Sequence, residues 1–331
     1  MNKERYVAID NVCAWPNLTI MPDGSLIATI FNQPTHGGWE GDVECWSSVD
    51  KGRTWRLCGV PAPHEPKTNR MNVAAGLAQD KSLIVLSSGW SHRNSPGNYS
   101  SPGEGKILPM WVCRSQDGGK SWETKGTVEP HPKKTQHIIP YGDIIILPED
   151  TLGVCIYGSS LPDDRNAYFY TSTDDGLTWK MRGIIREGNT TETTALALPD
   201  GKLIAACRTT GDIHLELASS EDQGVTWNSK GPLTLGKQHP GHLLLLKDGR
   251  ILLSYGIRNK GLYGIGIRIS TDQGATWEPP RLLVDFETAT DGGYPSSVEI
   301  EDGTIVTAYY CNCVPAHQRY HVGVVRWKVD E

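Results

Sequence analysis

Glu192 and Arg208 are the two charges in this chain that most need a reason. They lie near the two ends of one short apolar hairpin, residues 190–209, which reads TTETTALALPDGKLIAACRT. A charge on an apolar strand is costly unless it is paired or used. Tyr294 opens a similar run, YPSSVEIEDGTIVTAYY, with Asp291 just before it and Tyr309 near its end. The segment His36-Gly37-Gly38-Trp39-Glu40-Gly41-Asp42 offers two carboxylates and an imidazole as acids in one glycine-rich loop. Arg70, Arg258, Trp15, Trp90, His137 and His239 stand at comparable places, where apolar runs begin or end. Tryptophan and tyrosine faces stack on sugar rings, and arginines, histidines and carboxylates grip hydroxyl and acid groups, so this set suits a carbohydrate. His239-x-x-His242 with His137 raises the possibility of a metal. On a strand, however, residues three apart point to opposite faces, so the trio fits a single zinc poorly. No metal or cofactor is expected.

The elements that carry these residues are set by two recurring turns. Ser-x-Asp-x-Gly-x-Thr/Ser-Trp occurs five times, at Ser48–Trp55, Ser115–Trp122, Ser172–Trp179, Ser220–Trp227 and Ser270–Trp277. Its chemistry is that of a chain reversal. Ser and Asp side chains bond nearby backbone, and Gly takes positive φ. Trp closes the apolar layer, with an N–H that needs a partner. These Asp residues are read as structural. A simpler turn alternates with the first, as in Met21-Pro22-Asp23-Gly24, Leu198-Pro199-Asp200-Gly201 and Glu301-Asp302-Gly303. It occurs six times, each time between short apolar runs, which is a hairpin signal. Two hairpin turns per repeat make a four-stranded unit, the blade of a β-propeller. The expected architecture is therefore all-β, a single six-bladed β-propeller over residues 1–331. The final HVGVVRWKVDE lacks a box after it, so the early run Arg5–Ile9 is expected to supply the outer strand of the last blade. Loops at one face of such a ring carry the candidates.

Composition narrows the partners. A net charge of -6 without a basic cluster argues against nucleic acid. No apolar stretch approaches the roughly 20 residues needed to cross a bilayer. The opening MNKERYVAID lacks the apolar segment of a secretory signal, so a cytoplasmic protein is expected. The eight cysteines fall mostly in apolar runs and are read as free buried thiols. Oligomeric state is left open.

The repeated eight-residue turn resembles the Asp box of the sialidase superfamily, and the resemblance spans nearly the whole chain. It implies a sialidase-like propeller acting as a retaining exo-glycosidase. On this likeness Tyr294, in Gly293-Tyr294-Pro295-Ser296, is similar to the nucleophile. Glu192 is similar to the glutamate that activates it, and Glu40 or Asp42 lies where the acid/base carboxylate is expected. Arg208 resembles one of three arginines that bind the substrate carboxylate. The family's first inner strand begins Arg-Ile-Pro, but here the stretch is Cys13-Ala14-Trp15-Pro16, with Ala14 in place of the arginine. A further family arginine is missing near Tyr263, and Arg70, Arg208 and Arg258 are candidates for a rearranged cluster.

Three functions follow as expectations. The first is hydrolysis of a terminal acidic sugar such as sialic acid. The second is a polysaccharide lyase acting on a uronate, with Arg208 neutralising its carboxylate. The third is a carbohydrate-binding propeller without catalysis.

Overall fold

The structure, a computed structural model, describes residues 3–101, 103, 105–130, 138–158, 165–211 and 213–329. The candidate His137 lies outside the described residues. The fold is all-β and propeller-like, with four four-stranded sheets and one nine-stranded sheet. The nine-stranded sheet is the departure from separate blades. It joins the run that starts at Asn72–Leu77 to the run that starts at Ile138–Ile146. The joint is a short parallel pairing, Gly142 with Ala74 and Asp143 with Ala75. Lys3–Asp10 pairs antiparallel with His321–Trp327, so the first strand completes the sheet built by the last three. Among the described residues no helix is long and apolar enough to cross a membrane.

The five boxes show why these residues make these turns. In the first, the Ser48 hydroxyl donates to Asp50 Oδ1 at 2.8 Å and accepts from Gly52 N at 2.9 Å. Asp50 then accepts from the backbone N–H and the hydroxyl of Thr54, at 2.9 and 2.7 Å. The other four boxes repeat these bonds. The tryptophan N–H finds its partner inside the motif. Trp122, Trp179, Trp227 and Trp277 each donate to the carbonyl of their own box glycine, whereas Trp55 donates to the Tyr6 hydroxyl at 3.2 Å.

The boxes also seat one sheet on the next. Gly224 has φ +90, and a Cβ there would lie 2.3 Å from the ring of Phe169, which is fully buried in the neighbouring sheet. Gly224→Ala therefore combines left-handed strain with a clash. It is expected to lower stability by about 3 kcal/mol, read as a drop in denaturation midpoint. The site is remote, so turnover below the new midpoint should not change.

The strands Ala14–Ile20, Asn72–Leu77, Ile138–Ile146, Thr190–Ala197, Gln238–Leu245 and Gly292–Glu299 touch one another in turn, and the last touches the first. Five of them break register near their starts. The breaks fall between Ala14 and Asn17, Tyr141 and Ile145, Thr190 and Thr193, Gln238 and Gly241, and Gly293 and Ser296. A bulge inserts residues into one strand and re-aims their side chains. Trp15, Glu192, His239 and Tyr294 all sit inside these bulges, and Tyr141 borders one.

Candidate active site

At this ring a cavity of about 500 Å³ opens, and Trp15, Tyr141, Glu192 and Tyr294 line it. Tyr294 is held at φ 52 and Trp15 at φ 44. Such backbone is uncommon for bulky residues, and it collects where a site over-determines it. The Tyr294 hydroxyl donates to Glu192 Oε1 at 2.5 Å. Arg208 Nη1 donates to that same oxygen at 3.0 Å and to the Tyr294 hydroxyl at 2.8 Å. Three residues from two sheets thus meet on one triangle of short contacts. The Glu192 side chain is 13% exposed and that of Arg208 24%.

Electrostatics divides the roles within the triangle. Burial alone would raise the Glu192 carboxyl, but the Arg208 charge and the Tyr294 hydroxyl outweigh it and hold Glu192 at about 2. Burial pushes the Tyr294 phenol up, and the Glu192 charge beside it adds to that rise. Arg208 is raised against its own burial, chiefly by Glu192. At neutral pH the arrangement is a neutral phenol bonded to an ionised carboxylate, locked by a guanidinium. A phenol with a carboxylate base in contact has the arrangement that nucleophilic catalysis requires.

The aromatic wall is continuous. Tyr294 packs against Trp15, Tyr141 and Tyr310 with ring centroids 6.3, 6.1 and 5.7 Å apart. Trp15 also meets the His36 ring edge-on at 4.9 Å. Below the cavity, Asn17 donates to Asp143 Oδ1 at 2.8 Å, and His242 Nε2 lies 3.0 Å from Asp143 Oδ2. These polar groups brace the inner strands against one another.

Of the residues expected from sequence, Tyr294, Glu192, Arg208, Trp15, Trp90 and His36 line the cavity. The others do not. Asp42 is taken by His64, whose backbone N–H and ring Nδ1 lie 2.7 and 2.6 Å from its Oδ1. Glu40 is bonded to the backbone N–H of Lys67. Neither carboxylate is brought to the cavity, because the loop carrying them turns back onto residues 64–67. Arg70 is buried, donates to the Pro109 carbonyl at 2.8 Å and stacks 3.7 Å over Trp111. Arg258 lies behind Tyr294, 5.8 Å from its ring centroid, and donates to the His239 carbonyl. His239 itself is buried. The cluster of Arg70, Arg208 and Arg258 therefore does not form. Tyr309 faces away, accepting from Arg5 at 2.8 Å.

Asp291 lies just behind the lining, where it accepts from the hydroxyls of Tyr310 and Tyr320, each at 2.8 Å, and pairs with His36 at 3.1 Å. Cys13, His36 and Asp291 place one possible metal-ligand atom each within 4.8 Å of one another. Asp291 already receives hydroxyl bonds on both oxygens, and burial pushes the Cys13 thiol well up, so this trio reads as a hydrogen-bonded cluster rather than a ligand set.

Sequence reasoning left Arg93 without a site role, although it lines the cavity beside Trp90. It also missed Asp143, whose one signal is a carboxylate in the apolar run YGDIIILP.

Comparison with known proteins bears on the family and the fold. The sequence matches the BNR repeat-like domain family over residues 63–307. A search of curated proteins gives no match. Among solved structures, the chain is similar to a protein of unknown function from Dyadobacter fermentans DSM 18053, with 25% identity, 98% of both chains covered and a TM-score of 0.83. It is similar to the Hadza microbial sialidase Hz136 at 20% identity, covering 95% of this chain and 65% of that one, TM-score 0.70. A Trypanosoma rangeli sialidase in complex with sialic acid follows at 16% identity, covering 98% of this chain and 59% of that one, TM-score 0.74. The chain thus spans less than two thirds of either sialidase, and at these identities the likeness is one of fold. A family match over most of the sequence establishes that this chain belongs to the BNR repeat-like domain family, on a propeller-like fold similar to that of the sialidases.

Proposed function

We propose that the chain is a retaining exo-glycosidase that removes a terminal acidic sugar of the sialic acid type from an oligosaccharide. The observation that carries this reading is the 2.5 Å bond from the Tyr294 hydroxyl to Glu192 at the floor of an aromatic-walled cavity. Sialidases are the glycosidases that use a tyrosine nucleophile. A neutral phenol is a poor nucleophile, and here a base lies in contact to take its proton as attack begins. Arg208 steadies that proton transfer, and with Arg93 it offers guanidinium groups to a sugar carboxylate. Trp15 and Trp90 supply faces for the sugar ring. In the ring we propose, the nine-stranded sheet counts as two blades, which makes six in all.

Release of fluorophore from an aryl sialoside tests the reading. Turnover by the wild type supports it. A product carrying a new carbon–carbon double bond, seen by its ultraviolet absorbance, replaces hydrolysis with elimination. Saturable sugar binding without any product makes the chain a binding propeller.

A further inference from the structure

The proposed hydrolysis needs an acid for the departing oxygen, and neither expected carboxylate reaches the cavity. We propose that His36, oriented by Asp291, is the general acid/base of this site. The assignment rests on the hydrolase reading above.

His36 lines the cavity with its side chain 58% exposed. Its ring meets the same indole, Trp15, that packs against Tyr294. His36 Nδ1 lies 3.1 Å from Asp291 Oδ2. Burial pulls the Asp291 carboxyl up, but its bonds to His36, Tyr310 and Tyr320 win and hold it at about 2. Asp291 is therefore ionised and can only accept. The proton on that contact must belong to Nδ1. This fixes the tautomer and leaves Nε2, on the far side of the ring from Asp291, to gain and lose a proton. Two tyrosine hydroxyls hold the carboxylate in place, so Asp291 acts as a positioning residue.

The steps balance. As Tyr294 Oη bonds to the anomeric carbon, its proton passes to Glu192. The glycosidic C–O bond breaks, and its oxygen leaves with the Nε2 proton of His36. Neutral His36 then takes a proton from water as that water attacks the anomeric carbon. Tyr294 departs and recovers its proton from Glu192. The sum is glycoside plus water giving free sugar and alcohol.

An acid is needed in proportion to how poor the leaving group is. His36→Ala should lower kcat/KM on an unactivated substrate, sialyllactose, by about 100-fold or more. On an aryl sialoside, whose phenolate leaves unaided, the loss should stay within about tenfold. Azide, which attacks without a base, should restore turnover of the aryl sialoside by His36→Ala. Asp291→Asn should show a smaller loss with the same leaving-group dependence. Equal losses on both substrates, or wild-type rates on sialyllactose, would overturn the assignment of His36 while the hydrolase reading stands. Absence of wild-type release from either sialoside removes the hydrolase reading, and the role of His36 with it. An unchanged thermal midpoint for His36→Ala, expected of an exposed side chain, separates lost chemistry from lost folding.

Discussion

Tyr294→Phe is expected to lose turnover of an aryl sialoside by about 10³-fold or more while the protein stays folded. The substitution removes one oxygen. The phenylalanine ring keeps the contacts with Trp15, Tyr141 and Tyr310 that fill the floor of the cavity. Glu192 loses the hydroxyl at 2.5 Å but keeps Arg208 at 3.0 Å, so no carboxylate is left buried without a partner. The stability cost should therefore be about 1 kcal/mol, the net value of one hydrogen bond. A chemical readout separates a nucleophile from a mere binding group. A fluorinated sialic acid donor slows release of a glycosyl-enzyme, and such a covalent intermediate has been captured in a Trypanosoma rangeli sialidase. Wild-type protein treated with 2,3-difluorosialic acid should gain the mass of one sugar on the Tyr294 peptide, and Tyr294→Phe should gain none. Turnover by the variant within tenfold of wild type, or label on another residue, would refute the nucleophile.

How much of this was legible beforehand depended on the range of the interaction. The boxes were legible because their bonds run between residues two to four apart, so Ser48, Asp50, Gly52 and Thr54 state their own geometry. Glu192, Arg208 and Tyr294 stood out as polar groups on apolar strands, and the structure brings them together. The bulges left a fainter trace. Pro16, Pro240 and Pro295 each follow a bulged residue, where a residue without an N–H is tolerated. The arginine cluster failed because position at a strand start does not say what else is near. Arg70 found Trp111, and Arg258 found the His239 carbonyl. The pairing of His36 with Asp291 spans 255 positions and has no local signature. Nor does the parallel joint at Gly142 and Ala74, where two hairpin runs share one sheet.

The remaining large effect concerns the charge balance at Glu192. Arg208→Met should cost about 3–5 kcal/mol at neutral pH, because it strands a buried carboxylate. The sign with pH then follows. In the wild type, Glu192 titrates at about 2, below the ordinary 4.5 of an unfolded chain. Its stabilising contribution is complete above pH 4.5 and is lost as pH falls toward 2. Without Arg208, burial is opposed only by the Tyr294 hydroxyl and local hydrogen bonds, and the carboxyl should move upward. Protonation then relieves the penalty, so the deficit of Arg208→Met against wild type should shrink as pH drops from 7 toward 4. Glu192→Gln with Arg208→Met should be more stable than Arg208→Met alone, since the stranded charge is gone. Glu192→Gln also removes the base, and so should lose turnover as Tyr294→Phe does. Urea midpoints at pH 7 and pH 4 for the single and double variants decide the matter. A deficit of the same size at both pH values would mean that Arg208 stabilises by packing and does not balance Glu192. The base would then lack the clamp that keeps it ionised against Tyr294.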